Sequence, residues 1–398
     1  MTRKVATRAG IAPFYVMEVM KAAAQRAETG VDVLHLEVGQ PSTGAPAAAL
    51  DAAALALRAD PLRYTDALGL AALRTRISEW YDERYSVVVD PARVAVTSGA
   101  SGACVLAFLS CFDAGDRVAV ASPGYACYRN MLRALDVEVV EVPVDATSRF
   151  QITAAVLQAV LDGDGPVDGI IVASPSNPTG TMLFADELVA LGTLCRSRDI
   201  RLISDEIYHG ITYGPPAATA LAGDPDAVVV SSFSKYFSMT GWRLGWLVLP
   251  SELVTPVERL AQNLTVAPPT LAQHAALAAF ASIDELDGHV ARYDRNRLAL
   301  VDALTAAGLD DVAPGDGAFY LWVDVHAWTD DSQQLAATWL DELGVAVTPG
   351  LDFDPARGHR FLRLSFAGSE GDIAEAARRI VDWAATARPE RSGAKVTS

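Results

Sequence analysis

The sequence predicts an α/β protein, with a large domain built on a mostly parallel sheet flanked by helices and a smaller α+β domain after it. Three observations carry this. Short β-branched runs alternate with longer Ala/Leu-rich segments of helical period. Several of those runs are apolar throughout, as strands covered on both faces must be. From about residue 289 the alternation gives way to an Arg-rich helical stretch followed by shorter strands.

Taken in order, the strand candidates of the large domain are 93–97, 117–121, 137–142, 169–174, 201–204, 227–231 and 245–249. Helices are expected between them at 101–111, 153–161 and 185–198, where alanine and leucine favour the helical state. The second domain is expected as a long helix over 289–307, strands at 318–323, 345–348 and 361–365, and a final helix over 370–387. The domain plan is therefore 38–288 for the large domain and 289–390 for the small one. Residues 1–37 form an N-terminal segment that contributes to the small domain, and the polar stretch 388–398 reads as a disordered tail, with 391–398 outside any domain.

With 398 residues the chain has enough length for two cores, and 51% apolar with 20% charged residues is a globular composition. No stretch reaches the roughly 18 uninterrupted apolar residues of a membrane span, and the basic start is not followed by a signal-peptide pattern. Cys104, Cys111, Cys127 and Cys195 form no C-x-x-C pair and no disulfide framework, which points to a reducing cytoplasm. The six histidines lack metal-ligand spacing, so no metal is expected. A net charge of −17 argues against a nucleic-acid or anionic membrane surface.

Polar clusters follow five of the strands: Ser98-Gly-Ala-Ser-Gly-Ala103, Pro123-Gly-Tyr125, Pro175-Ser-Asn-Pro-Thr-Gly180, Asp205-Glu-Ile-Tyr208 and Ser232-Phe-Ser-Lys235. In an open parallel sheet these strand ends share one edge, where ligands bind. The first cluster opens a helix, so its free N–H groups suit a phosphate, although a tight turn alone explains a lone Gly-Ala-Ser-Gly. Lysine occurs only at positions 4, 21, 235 and 395, arginine supplying the other basic residues. Lys235 thus stands alone mid-chain among aromatic neighbours, where a shielded amine could act as a nucleophile. Asp205 ends an apolar strand, a poor place for an unpartnered carboxylate; it could cap a helix or hold a cofactor nitrogen protonated. For Arg243 and Arg363 composition alone does not separate a site from a solvated surface.

Together these residues resemble the fold-type I pyridoxal-5′-phosphate (PLP) enzymes, specifically the class I/II aminotransferases similar to aspartate aminotransferase. The resemblance lies in Ser176-Asn-Pro-Thr-Gly180, Ser204-Asp-Glu-Ile-Tyr208, Ser232-x-Ser-Lys235 with Arg243 eight residues on, and Arg363-Leu-Ser365, in the family's order from about Val38 to Arg379. It implies a fold-type I architecture, a mostly parallel mixed sheet, an N-terminal segment that helps close the site, and a homodimer with shared active sites. It further implies that Lys235 holds PLP as a Schiff base and shuttles the substrate proton, and that Asp205 pairs with the pyridinium nitrogen. Tyr208 and Asn177 would bond the phenolic oxygen while Tyr125 stacks on the ring. Ser232, Ser234, Arg243 and the backbone of Ala100 and Ser101 would take the phosphate, reached also by Tyr64 from the neighbouring subunit. Arg363 would pair with the substrate α-carboxylate, with Gly39 and Asn177 beside it. The activity implied is ping-pong amino transfer between an L-amino acid and a 2-oxo acid.

Two departures bear on substrate. Ser101 stands where some acidic-substrate relatives carry lysine, which leans away from a dedicated aspartate enzyme; Arg292, Arg295 and Arg297 are candidate substitutes, although a solvated helix face is the favoured reading of them. Gly350-Leu-Asp-Phe-Asp354 also differs from the small-residue-Phe-Gly pattern of the family, while Trp242, Phe319 and Tyr320 suggest an apolar or aromatic pocket, although aromatics at such positions are more often core. The alternatives on this fold are a carbon–sulfur lyase or a 1-aminocyclopropane-1-carboxylate-synthase-like enzyme, against which Tyr208 weighs mildly. A PLP-binding regulator needs a DNA-binding segment that the roughly forty residues before the large domain do not provide.

Overall fold

The computed structural model describes residues 3–387; the expected tail lies outside the described residues. In chain order the elements are α1 (Tyr15–Glu28), β1 (Leu34–His35), α2 (Ala47–Ala59), α3 (Ala71–Tyr85), β2 (Val94–Thr97), α4 (Gly99–Cys111), β3 (Arg117–Ser122) and α5 (Ala126–Ala134). Then come β4 (Glu138–Pro143), α6 (Ala154–Gly163), β5 (Gly169–Ala173), α7 (Ala185–Ser197), β6 (Arg201–Asp205), β7 (Val228–Ser232), β8 (Gly245–Val248), α8 (Ser251–Leu264) and α9 (Thr270–Ala279). The chain continues through α10 (Ile283–Ala306), β9 (Tyr320–Asp324), α11 (Ser332–Thr338), β10 (Val345–Ala346), β11 (Thr348–Pro349), β12 (Phe361–Ser365) and α12 (Glu370–Ala387).

A seven-stranded sheet in the order β2-β8-β7-β6-β5-β3-β4 carries the α/β part. Its strands run parallel except β8, which is antiparallel to both β2 and β7. β2 and β7 are buried at every position, as their unbroken apolar or small sequences require. α4 is apolar on most faces because it lies between β7, β8 and α8. The reversal of β8 matters to the site. Its first residue, Gly245, lies at the same sheet edge as the ends of β2, β3, β5, β6 and β7, so Arg243 just before it joins the five polar clusters there.

A three-stranded antiparallel sheet, β11-β12-β9, and a parallel pair, β1-β10, make up the second layer system. The single strand expected at 345–348 is two strands. Val345 and Ala346 pair with Leu34 and His35, whereas Thr348 and Pro349 pair with β12. The helix expected from residue 289 begins at Ile283 and runs through Gly288; Asp284 and Glu285 in its first turn favour the earlier start. α12 packs along α10. One apolar cluster joins the two sheets, running from Val229 and Phe233 through Tyr208 to Phe319, Tyr320 and Leu364. The functional residues sit on this junction. Among the described residues no helix is long and apolar enough to cross a membrane.

Candidate active site

A cavity of about 210 Å³ opens where the polar strand ends meet β9, β12 and α1. Gly39, Ala100, Ser101, Tyr125, Asn177, Asp205, Tyr208, Ser234, Lys235, Arg243 and Arg363 all line it. Ser232 lies directly behind: its hydroxyl bonds the Ser234 hydroxyl at 2.7 Å and donates to the Leu244 carbonyl at 2.9 Å. Tyr64 is outside the cavity of its own chain and is 84% exposed.

One end is built for an anion. α4 starts at Gly99 with no side-chain cap on its first N–H groups, so these and the helix dipole face the cavity through Ala100 and Ser101. Arg243, in the left-handed region at φ 54°, brings its guanidinium beside them. Gly99 has φ 73°, a conformation that glycine adopts without strain, and a methyl group there would press on the Arg243 guanidinium, 2.6 Å from its Nη2.

The opposite end presents a carboxylate. Asp205 is 5% exposed; its Oδ1 accepts from the Ile207 N–H at 3.0 Å, and its Oδ2 accepts from the Tyr128 hydroxyl. Burial raises the Asp205 pKa, while the Tyr128 and Ile207 hydrogen bonds and the nearby Lys235 pull it back. Tyr128 escapes a reading of the sequence because nothing there links it to a residue 77 positions away; the one hint is a second tyrosine one helical turn after Tyr125, which it meets edge-on. Exchanging Tyr128 for phenylalanine strands a buried carboxylate oxygen. Turnover of the Tyr128→Phe variant is expected to fall about tenfold, with the acid limb of its pH profile moved upward. An unchanged profile would show that Tyr128 only fills space.

Between the two ends stands Lys235. Its Nζ donates to the Gly39 carbonyl at 2.5 Å and lies 5.6 Å from the centre of the Tyr208 ring. Burial lowers its pKa to about 8, helped by the like charges of Arg363 and Arg243 and opposed by Asp205. Such an amine has a usable neutral fraction near neutral pH. Gly39 is itself sterically required: a Cβ there would fall 1.7 Å from the Tyr320 hydroxyl. That hydroxyl in turn bonds Tyr208 Oη at 2.8 Å.

Arg363, on β12, is 2% exposed. It donates to Asn177 Oδ1 at 2.9 Å, to Thr348 Oγ1 at 3.3 Å and to the Glu37 carbonyl, and its Nε has no partner. The rings of Tyr320 and Phe353 flank the guanidinium at 4.5 and 4.7 Å. A buried cation with spare donors is poised for a carboxylate.

The remaining wall is apolar and comes largely from α1: Phe14, Val16, Met17 and Met20 line the cavity with Val38 and Met131. Their spacing marks a helix face, but nothing in the sequence says against what it packs. Of the aromatics expected to shape the pocket, Tyr320 lines it, Phe319 packs edge-on behind Tyr208 at 5.5 Å, and Trp242 lies in a separate groove beside Thr43 and Pro269. Arg292, Arg295 and Arg297 do not reach the cavity; they bond Ser42, Glu370 and Asp294 respectively along α10.

Residues 31–380 match the family described as aminotransferase class I and II. A valine–pyruvate aminotransferase of Mycobacterium tuberculosis is 51% identical over 387 residues, covering 96% of this chain and 99% of the relative. The crystal structure of an aminotransferase from Mycobacterium tuberculosis superposes with a TM-score of 0.94 at 50% identity, over 96% of this chain and all of the other. An aspartate aminotransferase from Thermus thermophilus with maleate superposes with a TM-score of 0.88 at 30% identity and the same coverage.

Proposed function

Because this chain belongs to the class I and II aminotransferase family, whose members generally depend on PLP, we propose that its amino transfer between amino acid and 2-oxo acid runs through PLP held at Lys235. The observation that carries the proposal is the donor set around the cavity. An uncapped helix N-terminus with Arg243 lies at one end, a buried carboxylate at the other, and an amine with a pKa near 8 between them. A phosphate, a protonated ring nitrogen and an aldehyde match these in turn.

In this reading the first N–H groups of α4, Ser234 and Arg243 hold the phosphate, with Ser232 fixing Ser234. Asp205 keeps a proton on the ring nitrogen, and Tyr128 keeps Asp205 ionised. When bound, the protonated ring supplies a sink for the electrons left as the substrate α-proton departs. Tyr125 stacks on that ring, and Tyr208 and Asn177 offer hydrogen bonds to its oxygen. Arg363 binds the α-carboxylate and so orients the Cα–H bond towards Lys235. The neutral Lys235 amine takes the α-proton and later returns it, and the apolar α1 wall keeps water from that exchange. The same residues serve both halves of the reaction, so donor and acceptor bind in turn.

The donor we propose is a monocarboxylic aliphatic amino acid, valine among them, with pyruvate as acceptor. The support is the name of the 51% identical relative and the apolar wall facing Arg363. Steady-state assays with pyruvate across a panel of amino acids test it. Valine is expected to exceed aspartate in kcat/KM by at least about a hundredfold, since a side-chain carboxylate against this wall lacks a partner. Aspartate as the better donor would overturn the assignment.

We also propose a cytoplasmic homodimer with 38–288 as the cofactor-binding domain and 289–390 as the small one, completed by residues 1–37. Tyr64, Leu264 and Val266 are all exposed, and Thr270 Oγ1 donates to the Arg63 carbonyl at 2.7 Å, which holds the Tyr64 segment against the start of α9. A second copy covering that face would bury these side chains and bring Tyr64 to its own phosphate site. The four cysteines are free thiols, as a reducing compartment allows.

A further inference from the structure

We infer that Asp352 is a positioning residue: its carboxylate caps helix α1 from the far end of the chain and so sets the apolar wall against which a donor side chain rests. The inference rests on the proposed role of that wall in binding the donor. α1 begins after Phe14, whose side chain cannot cap, leaving its first N–H groups to find other acceptors. The Val16 N–H donates to Asp352 Oδ2 at 3.4 Å, and the Tyr15 N–H acts on the same carboxylate. Asp352 is 4% exposed, and a carboxylate so buried requires such donors.

The loop that carries it is firmly held. Arg129 on α5 donates to the Asp352 carbonyl at 2.8 Å and to the Phe353 carbonyl at 3.0 Å, and the Gly124 N–H donates to the latter at 3.0 Å. The capping carboxylate is thereby fixed to the segment that bears Tyr125, whose ring meets Phe14 edge-on at 5.9 Å. The adjacent Phe353 lies against the Arg363 guanidinium at 4.7 Å. Two consecutive residues therefore touch the carboxylate-binding arginine and the start of the wall helix. The far end of α1 is tied separately, through Arg26 to the Asp341 carbonyl at 2.6 Å. Val16 and Met17 sit in the turn that Asp352 caps, and Met20 comes next on the same face. If the cap is lost, that turn frays and the wall recedes while Arg363 stays in place.

The test uses the holoenzyme of Asp352→Ala and Asp352→Asn, with two readouts. Hydrogen exchange of the amides of residues 15–20, without substrate, is expected to quicken about fivefold in Asp352→Ala and less in Asp352→Asn, which keeps an acceptor. In single half-reactions the preference for valine over alanine is expected to fall about fivefold in Asp352→Ala and to survive largely in Asp352→Asn. Equal loss for both donors, an unchanged preference, or unchanged exchange would overturn the inference. Should Asp352→Ala not fold, Asp352→Asn carries the test alone through amide exchange: faster exchange at residues 15–20 than in the wild type supports the inference, and unchanged exchange refutes it. Wild-type protein that converts neither donor would instead refute the aliphatic-donor reading on which the inference rests.

Discussion

Replacing Lys235 with alanine is expected to abolish covalently held cofactor and to lower turnover by about ten-thousandfold, because both the attachment point and the proton carrier are removed. The site around it otherwise persists. Asp205 keeps its Tyr128 and Ile207 hydrogen bonds, and the anion end formed by α4, Ser234 and Arg243 does not involve the lysine. Cofactor should therefore still bind, but exchangeably. Borohydride reduction followed by peptide mapping separates the cases: wild type carries the adduct on Lys235, and the variant carries none. The same amine titrates unusually. Burial and two neighbouring arginines favour its neutral form, so charge is lost as pH rises through about 8 instead of 10.5. In cofactor-free protein, labelling of Lys235 by an amine-directed reagent is expected to rise across that lower range. Retained turnover in Lys235→Ala would remove the basis of the assignment.

Replacing Arg363 with alanine is expected to lower kcat/KM for amino acids by about a thousandfold while cofactor stays bound. Its guanidinium is buried among Asn177, Thr348 and the Glu37 carbonyl, and a carboxylate arriving without it loses its paired cation. An amine that lacks the carboxylate should be affected little, which makes the ratio of the two substrates the informative quantity. Equal loss for both, or loss of cofactor, would show that Arg363 supports the site instead of binding the carboxylate.

Much of this arrangement is legible from strand ends. The seven strand candidates of the large domain fall within a residue or so of β2 to β8, since runs such as Val228-Val-Val-Ser-Ser232 can be little else in an α/β chain. Residues just past the ends of parallel strands must lie at one edge, and this alone brings Asp205, Lys235 and Asn177 together. Contacts between distant segments are not legible. Tyr128 reaches Asp205 across 77 positions, and Asp352 reaches Val16 across 336. Local pattern identifies neither partner, because each side chain reads as ordinary core or turn. The antiparallel direction of β8 is hidden for a related reason. A strand buried on both faces shows the same apolar run whichever way it points. The split of residues 345–348 between two sheets depends on partners at Leu34 and Arg363, the first of them far away in sequence.

The direct test of the central claim is a single turnover of the holoenzyme with valine and no oxo-acid acceptor. Transamination at Lys235 predicts one equivalent of 2-oxo acid per subunit, a matching change in cofactor absorbance, no free ammonia, and full reversal when pyruvate is added. Continued product release beyond one equivalent, accompanied by ammonia, would contradict it.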